Sequence, residues 1–343
     1  MASSSDAESS SRSFGEKVLI TGSVAAGSYL AGALARRFQR RRLPAPDALP
    51  PAIDTDTDTF ELMEGLINLY ARPGEGPPIV LVHSFNAAAS SFEMRPLFVH
   101  LAEATDRPVY AMDWLGFGRS DRPPIDYRPA LYQRQLRRFL SEHLQDAADV
   151  VALSLGGEYA AAVALEAPVL VRRLVLLNPT GLSNDRRGPS ALGRIAVQLA
   201  GSVGLFELFF YRLTKRSTLR RFYERQVFLD PARIPDELVD YAHTTTHAKG
   251  AHHAPRRFVD GTLFPVPSAM DLYTQLFHPT LLLTPEDASD TIQAFEQVAQ
   301  VIADDSSPVR HTRLPGGLLP QWEQPDPCFE ALDDFLFSGD MHE

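Results

Sequence analysis

The chain of 343 residues has a single cysteine, Cys328, so no disulfide framework can form within it. Lysine is almost missing: Lys17, Lys215 and Lys249 stand against 30 arginines. A surface rich in acids and poor in lysine suits a salt-rich cytoplasm, and genome composition produces the same skew. Positive charge is scarce overall, with a net charge of −10. Residues 1–42 carry Asp6, Glu8 and Glu16 against Arg12, Lys17, Arg36, Arg37, Arg40, Arg41 and Arg42, a net of +4 that leaves −14 for the remainder. Such a body argues against a nucleic-acid partner. Among ten histidines no pair has the H-E-x-x-H spacing or a comparable one, so neither a metal site nor a cofactor is expected. No internal repeat is present.

One long run lacks charge altogether. Val18–Ala35 has 18 uncharged residues. As a helix it would extend about 27 Å at 1.5 Å per residue, the lower limit for a bilayer span. Ser23, Gly27, Ala31 and Ala35 form a stripe of small residues suited to helix packing. Arg36, Arg37, Arg40, Arg41 and Arg42 follow at once, which predicts a membrane anchor with that end and the main domain on the cytoplasmic side. The basic residues follow the apolar run instead of preceding it, the reverse of a signal peptide. A peripheral or soluble helix is the alternative. The division expected is therefore a disordered N-terminus at 1–17, a transmembrane or membrane-surface helix with its basic flank at 18–42, a proline- and Asp-Thr-rich linker at 43–59, and a main α/β domain at 60–343.

The domain alternates strand and helix patterns. An opening strand pair at Phe60–Ala71 precedes helical patterns near Phe92–Ala104, Ala130–Gln145 and Gly156–Ala167, and Leu174–Leu177 reads as a buried strand. The alternation predicts an α/β fold with a mostly parallel, twisted sheet and helices on both faces. Apolar residues make up 44% of the chain, enough for a full core. A helical insertion at about 180–278 interrupts the pattern. Within it Leu192–Leu213 is apolar and aromatic, which suits core between insertion and sheet, an acyl pocket or a membrane contact.

Four motifs stand in order. Asp149 opens a short apolar run, Val150–Leu153, entering the turn Ala152-Leu153-Ser154-Leu155-Gly156-Gly157, with an Ala-rich helix behind it. Ile79–Val82 leads into His83-Ser84-Phe85-Asn86. Val109–Met112 leads into Asp113-Trp114-Leu115-Gly116-Phe117-Gly118-Arg119-Ser120. Near the C-terminus stands Gly317-Leu318-Leu319-Pro320-Gln321-Trp322-Glu323-Gln324-Pro325. Together they resemble the α/β-hydrolase superfamily of serine esterases and lipases, over roughly Phe60–Phe337. The resemblance implies an α/β-hydrolase fold with the insertion as a cap. It makes Ser154 the nucleophile on a G-x-S-x-G-type elbow, with Ala152 in place of the first glycine. It makes the backbone N–H groups of Phe85 and Leu155 the oxyanion donors, with Ser84 replacing a glycine. The Asp113–Ser120 loop is implied to be structural.

Two departures concern the remaining catalytic groups. In the C-terminal motif Pro320, Glu323 and Pro325 hold the family's offsets, but Leu318 stands where the histidine base belongs. The usual acid position is Ala288. Asp287 is one residue away and is the candidate acid; the alternative is that Glu286, Asp287 and Asp290 cap a helix beginning near Ser289. An acid after the preceding strand is another family route, where Asn178 and Asp185 lie. His83 is expected to be structural, His311 to face a neighbouring layer, and His243, His247, His252 and His253 to lie on the insertion, either as polar surface or over Ser154. Three functions stay open. One is a serine hydrolase with a rearranged base acting on a hydrophobic ester. Another is a silent member that binds a hydrophobic small molecule. The third is a membrane-tethered interaction protein.

Overall fold

The structure, a computed structural model, describes residues 43–182, 197, 205–264, 268–287, 295–302 and 307–337. By packing the chain divides into Met1–Pro44 and Ala45–Glu343, and all described strands belong to the second unit. The run at 18–42 lies outside the described residues. Among the described residues no helix is long and apolar enough to cross a membrane.

Eight strands form one sheet: β1 (Asp56–Leu62), β2 (Gly65–Arg72), β3 (Ile79–Val82), β4 (Val109–Met112), β5 (Ala148–Leu153), β6 (Val171–Leu177), β7 (Thr280–Pro285) and β8 (Val309–Leu314). Their order is β1-β2-β4-β3-β5-β6-β7-β8. The β1–β2 and β2–β4 pairs are antiparallel, and the rest are parallel. The expected α/β-hydrolase architecture, mostly parallel with helices on both faces, is the one observed. Strands β3, β5 and β7 are buried along their whole length, as near-continuous apolar runs between two helical layers should be.

Alternate residues feed two cores. Val80, Val82, Val150 and Ala152 face one cluster, which contains α2 (Pro129–Arg138) and α3 (Leu155–Glu166) through Leu131, Leu136, Tyr159 and Val163. Ile79, Leu81, Val151 and Leu153 face the other, with Leu97 and Leu101 of α1 (Arg95–Ala104) and Leu332 and Leu336 of the C-terminal helix Pro325–Phe337. This is the strand period of two expressed on both faces.

The domain begins earlier than the predicted residue 60. Asp56–Thr59 already pair with Asn68–Ala71. Leu49, Ala52 and Ile53 are buried, the Ala52 N–H donates to the Tyr70 hydroxyl at 2.9 Å, and the Tyr241 hydroxyl donates to the Pro50 carbonyl at 3.0 Å. The Asp-Thr repeat reads as linker because this edge of β1 faces solvent and tolerates charge.

Between β6 and β7 lies the insertion, with described helices α4 (Leu205–Leu213), α5 (Arg216–Gln226), α6 (Asp236–Thr246), α7 (His253–Val259) and α8 (Ala269–Tyr273). Leu219, Tyr223, Leu238 and Val239 join the second core. Of the apolar stretch 192–213, residues 192–196 and 198–204 lie outside the described residues. In α4 Phe206, Phe210 and Tyr211 are buried, while Leu205, Leu208, Phe209 and Leu213 are exposed. The core expected there is thus only half of this helix.

Candidate active site

Strand β5 ends at Leu153, and the chain turns through Ser154 into α3. Ser154 has φ 55° and ψ −125°. Asn178 is the other non-glycine residue with positive φ among those described. Such a conformation costs on the order of 1–3 kcal/mol and persists only where its surroundings enforce it. Here the Ser154 N–H donates to the Leu177 carbonyl, and the Ser154 carbonyl accepts from the Gly157 N–H, both at 2.9 Å. Small residues allow the helix to start so close to the sheet. A Cβ on Gly156 would lie 2.7 Å from the His83 carbonyl oxygen. Ala152 is fully buried and in register with Val82 and Leu176, so its methyl is absorbed by the core.

The loop after β3 is organised by Glu93, a residue that sequence motifs did not point to. Its carboxyl, almost entirely buried, accepts from the Ser84 N–H (3.0 Å), the Ser84 hydroxyl (2.9 Å) and the Asn86 amide (2.9 Å). Burial pushes this carboxyl above the usual carboxylate range, against the lowering effect of those donors. Ser84 adopts no positive φ, so serine serves where a glycine was expected. Phe85 packs edge-on against Phe117, Tyr132 and Tyr159. Among the described residues, neither the Phe85 nor the Leu155 backbone N–H has an acceptor. A hint lay in the sequence, where an acid interrupts an apolar stretch at Phe92-Glu93-Met94.

His83 is fully committed elsewhere. Its Nδ1 donates to the Ser84 carbonyl at 2.7 Å and its Nε2 accepts the Trp114 N–H at 3.1 Å. Burial pushes its pKa down to about 4. His311 Nε2 lies 2.8 Å from the Thr284 hydroxyl, across β7 and β8. On the cap, His243 Nδ1 bonds the Thr214 carbonyl and His247 Nδ1 bonds the His243 carbonyl, each at 2.9 Å. Among the described residues no group of histidine, cysteine and acidic side chains could hold a metal ion.

At the same end of the sheet, β6 leads into Asn178, β7 ends in Pro285 and β8 leads into the loop that carries Leu318. The Asn178 N–H donates to Leu283 O at 2.8 Å, and the Glu286 N–H to Leu314 O at 2.9 Å. The Asn178 amide donates to the carbonyls of Gly317 (3.3 Å) and Leu318 (3.1 Å). Asn178 thus sits beside the C-terminal motif, but as an amide. Leu318 is buried in the second core with Val227, Leu314 and Leu319, and its N–H donates to the Val227 carbonyl at 2.7 Å. Gly317 passes so close to the cap that a Cβ there would meet the Val227 oxygen at 2.0 Å. Glu323 locks this loop, accepting from the Gly317 and Asp230 N–H groups at 2.6 Å each. Asp287 is exposed. Ala288, Asp290 and Asp185 lie outside the described residues.

The motif segments are therefore gathered at one end of the sheet, with a strained serine at its centre. The sequence profile of the alpha/beta hydrolase family matches residues 79–331, well over half of the chain. The chain belongs to the alpha/beta hydrolase family. Solved structures superpose over most of it. A probable hydrolytic enzyme from Pseudomonas aeruginosa PAO1 gives a TM-score of 0.64 at 20% identity, over 87% of this chain and 99% of that one. A serine hydrolase involved in carbazole degradation gives 0.62 at 20% identity, over 82% and 98%. At this identity the likeness concerns the fold alone. By sequence, an uncharacterized protein of Mycobacterium tuberculosis is 32% identical over 147 residues, 43% of this chain and 40% of that protein. The 1-acylglycerol-3-phosphate O-acyltransferase ABHD5 of Homo sapiens is 36% identical over 108 residues, 30% of each chain. The match thus spans well under half of the length of these relatives.

Proposed function

We propose that this family member descends from a serine hydrolase of esters or other hydrophobic acyl compounds and retains the pocket chemistry with a degraded triad. Ser154 holds the nucleophile's place, and the Phe85 and Leu155 N–H groups are the oxyanion donors. Leu318 occupies the place of the base. The observation that carries this reading is the setting of Leu318: an apolar side chain buried in the core, on a loop tied to Val227, Asn178 and Glu323.

The chemistry follows. Attack of the Ser154 hydroxyl on an ester carbonyl forms a C–O bond and must release the hydroxyl proton. A leucine has no lone pair to take it. Loss of a triad member costs on the order of 10⁴-fold in turnover. An oxyanion donor still contributes about 2.7–4 kcal/mol, and two N–H groups without an acceptor among the described residues favour retention of carbonyl binding. The protein is then a binder of a hydrophobic acyl ligand that turns over slowly or not at all. The acyltransferase named among its relatives fits an acyl ligand. Asp287 is the nearest acid to the expected position; its exposure favours a solvated role. The uncharged run at 18–42 with its arginines would tether the domain to a membrane, the domain lying on the cytoplasmic side.

A second reading, a hydrolase with a rearranged base, is favoured by one observation: Ser154 keeps a strained conformation that stability alone would not select. Titration of the full chain with a fluorescent medium-chain acyl probe separates binding from turnover. Saturable binding, equal in wild type and Ser154→Ala, is expected. No saturable binding in either protein would remove the acyl-ligand reading.

A further inference from the structure

The cap presents an unusual outer face. On a surface helix the solvent side is expected to be polar. Helix α4 reverses this: Leu205, Leu208, Phe209 and Leu213 are 57%, 43%, 54% and 40% exposed. With exposed Arg212 they follow the spacing i, i+3, i+4, i+7, i+8, one continuous stripe along the helix. The opposite side is the one that buries Phe206, Phe210 and Tyr211. Among the described residues the stripe is left exposed.

Charge surrounds its C-terminal end. Between Leu205 and Gln226 there are six basic residues (Arg212, Lys215, Arg216, Arg220, Arg221 and Arg225) and two acids, Glu207 and Glu224, of which Glu207 is buried. Arg216 and Arg220 are engaged by Asp236, Asp240 and Glu224. Arg212, Lys215, Arg221 and Arg225 are exposed and have no ion-pair partner among the described residues. Arg216, Ser217, Arg220, Arg221, Glu224 and His243 line an open depression. It adjoins the end of α4, because His243 bonds the Thr214 carbonyl, one residue after Leu213. This cationic patch sits on a chain of net charge −10.

We propose that the corner made by α4 and the start of α5 docks on the surface of an anionic phospholipid bilayer. Leucine and phenylalanine enter the headgroup–acyl boundary, and the arginines and Lys215 meet lipid phosphates. Charge complementarity selects this occupant over a second copy of the chain, since face-to-face pairing would bring two like-charged collars together. The surface belongs to the unit Ala45–Glu343 and requires neither the run at 18–42 nor turnover at Ser154.

A polarity-sensitive fluorophore on Leu205→Cys or Phe209→Cys reads the contact in the full chain; Cys328 is buried and escapes labelling. With phosphatidylcholine–phosphatidylglycerol vesicles both labels should shift to the blue and brighten severalfold. Pure phosphatidylcholine should give no shift, and salt should reverse the anionic one, since screening shortens to about 10 Å at 0.1 M. Charge reversal at the exposed Arg212, Lys215 and Arg221 to glutamate should abolish it, with near-UV circular dichroism unchanged. A probe that stays in water while the chain sediments with anionic vesicles overturns the proposal. So does an equal shift on neutral vesicles, or a shift that needs only higher protein concentration.

Discussion

Ser154 and Leu318 carry opposite implications. The serine is held at φ 55° in a turn that glycine would occupy at less cost. Replacing it tests how much strain the site stores: Ser154→Gly should exceed Ser154→Ala in stability by about 1–2 kcal/mol by urea unfolding. Equal stability would mean that the turn relaxes in the variants and stores nothing. Leu318, by contrast, is an ordinary core residue at 7% exposure, with its backbone satisfied by Val227. Both positions were marked by local sequence motifs. Glu93 was not. Its contacts with Ser84 and Asn86 depend on β3 and the loop before α1 meeting in space, and an acid that interrupts an apolar stretch hints at burial without naming its partners.

At the level of elements, the motif segments lie at the C-terminal ends of β5, β6, β7 and β8, while the start of β5 is anchored by Asp149. That carboxylate is fully buried, with Arg107 Nη2 at 2.5 Å and both Arg172 donors at 3.0 Å. Asp149→Ala leaves the nearly buried Arg107 cation without its partner and should cost about 3–5 kcal/mol, read as a lower urea midpoint. A loss below about 0.5 kcal/mol, the range of ordinary surface substitutions, would show that the cluster is dispensable. The β5–Ser154–α3 unit could be read directly because a wholly buried strand followed by small residues has few alternatives. The start of β1 could not, since Asp56, Thr57, Asp58 and Thr59 are an exposed edge and look like linker. The cap's helical character was visible. Which face of α4 would be buried was not, because apolar residues occupy both faces.

Across the whole molecule, stability should respond to acid through His83. The unfolded chain takes up this proton near pH 6.5, whereas burial delays it in the folded chain to about 4. The folded state thus binds fewer protons in that window, and the contribution, complete above pH 6.5, is lost as pH falls through about 4. It amounts to roughly 3 kcal/mol. Glu93, pushed upward, has the opposite sign: its contribution is complete below the ordinary carboxylate value and is lost as pH rises through its raised one. Urea midpoints between neutral pH and about pH 4 should therefore fall more steeply for wild type than for His83→Gln. Parallel curves would assign the acid sensitivity to other groups.

A nucleophile held without its base should leave ester turnover near background. Turnover of short and medium p-nitrophenyl esters is measured for wild type, Ser154→Ala, Leu318→His and Leu318→His with Ala288→Asp. Wild type should stay near the Ser154→Ala level, on the order of 10⁴-fold below a working triad, and restoring the imidazole, alone or with the acid, should raise the rate. Wild-type turnover near 10 s⁻¹, typical of enzymes, that disappears in Ser154→Ala would overturn this reading and assign the base to another residue.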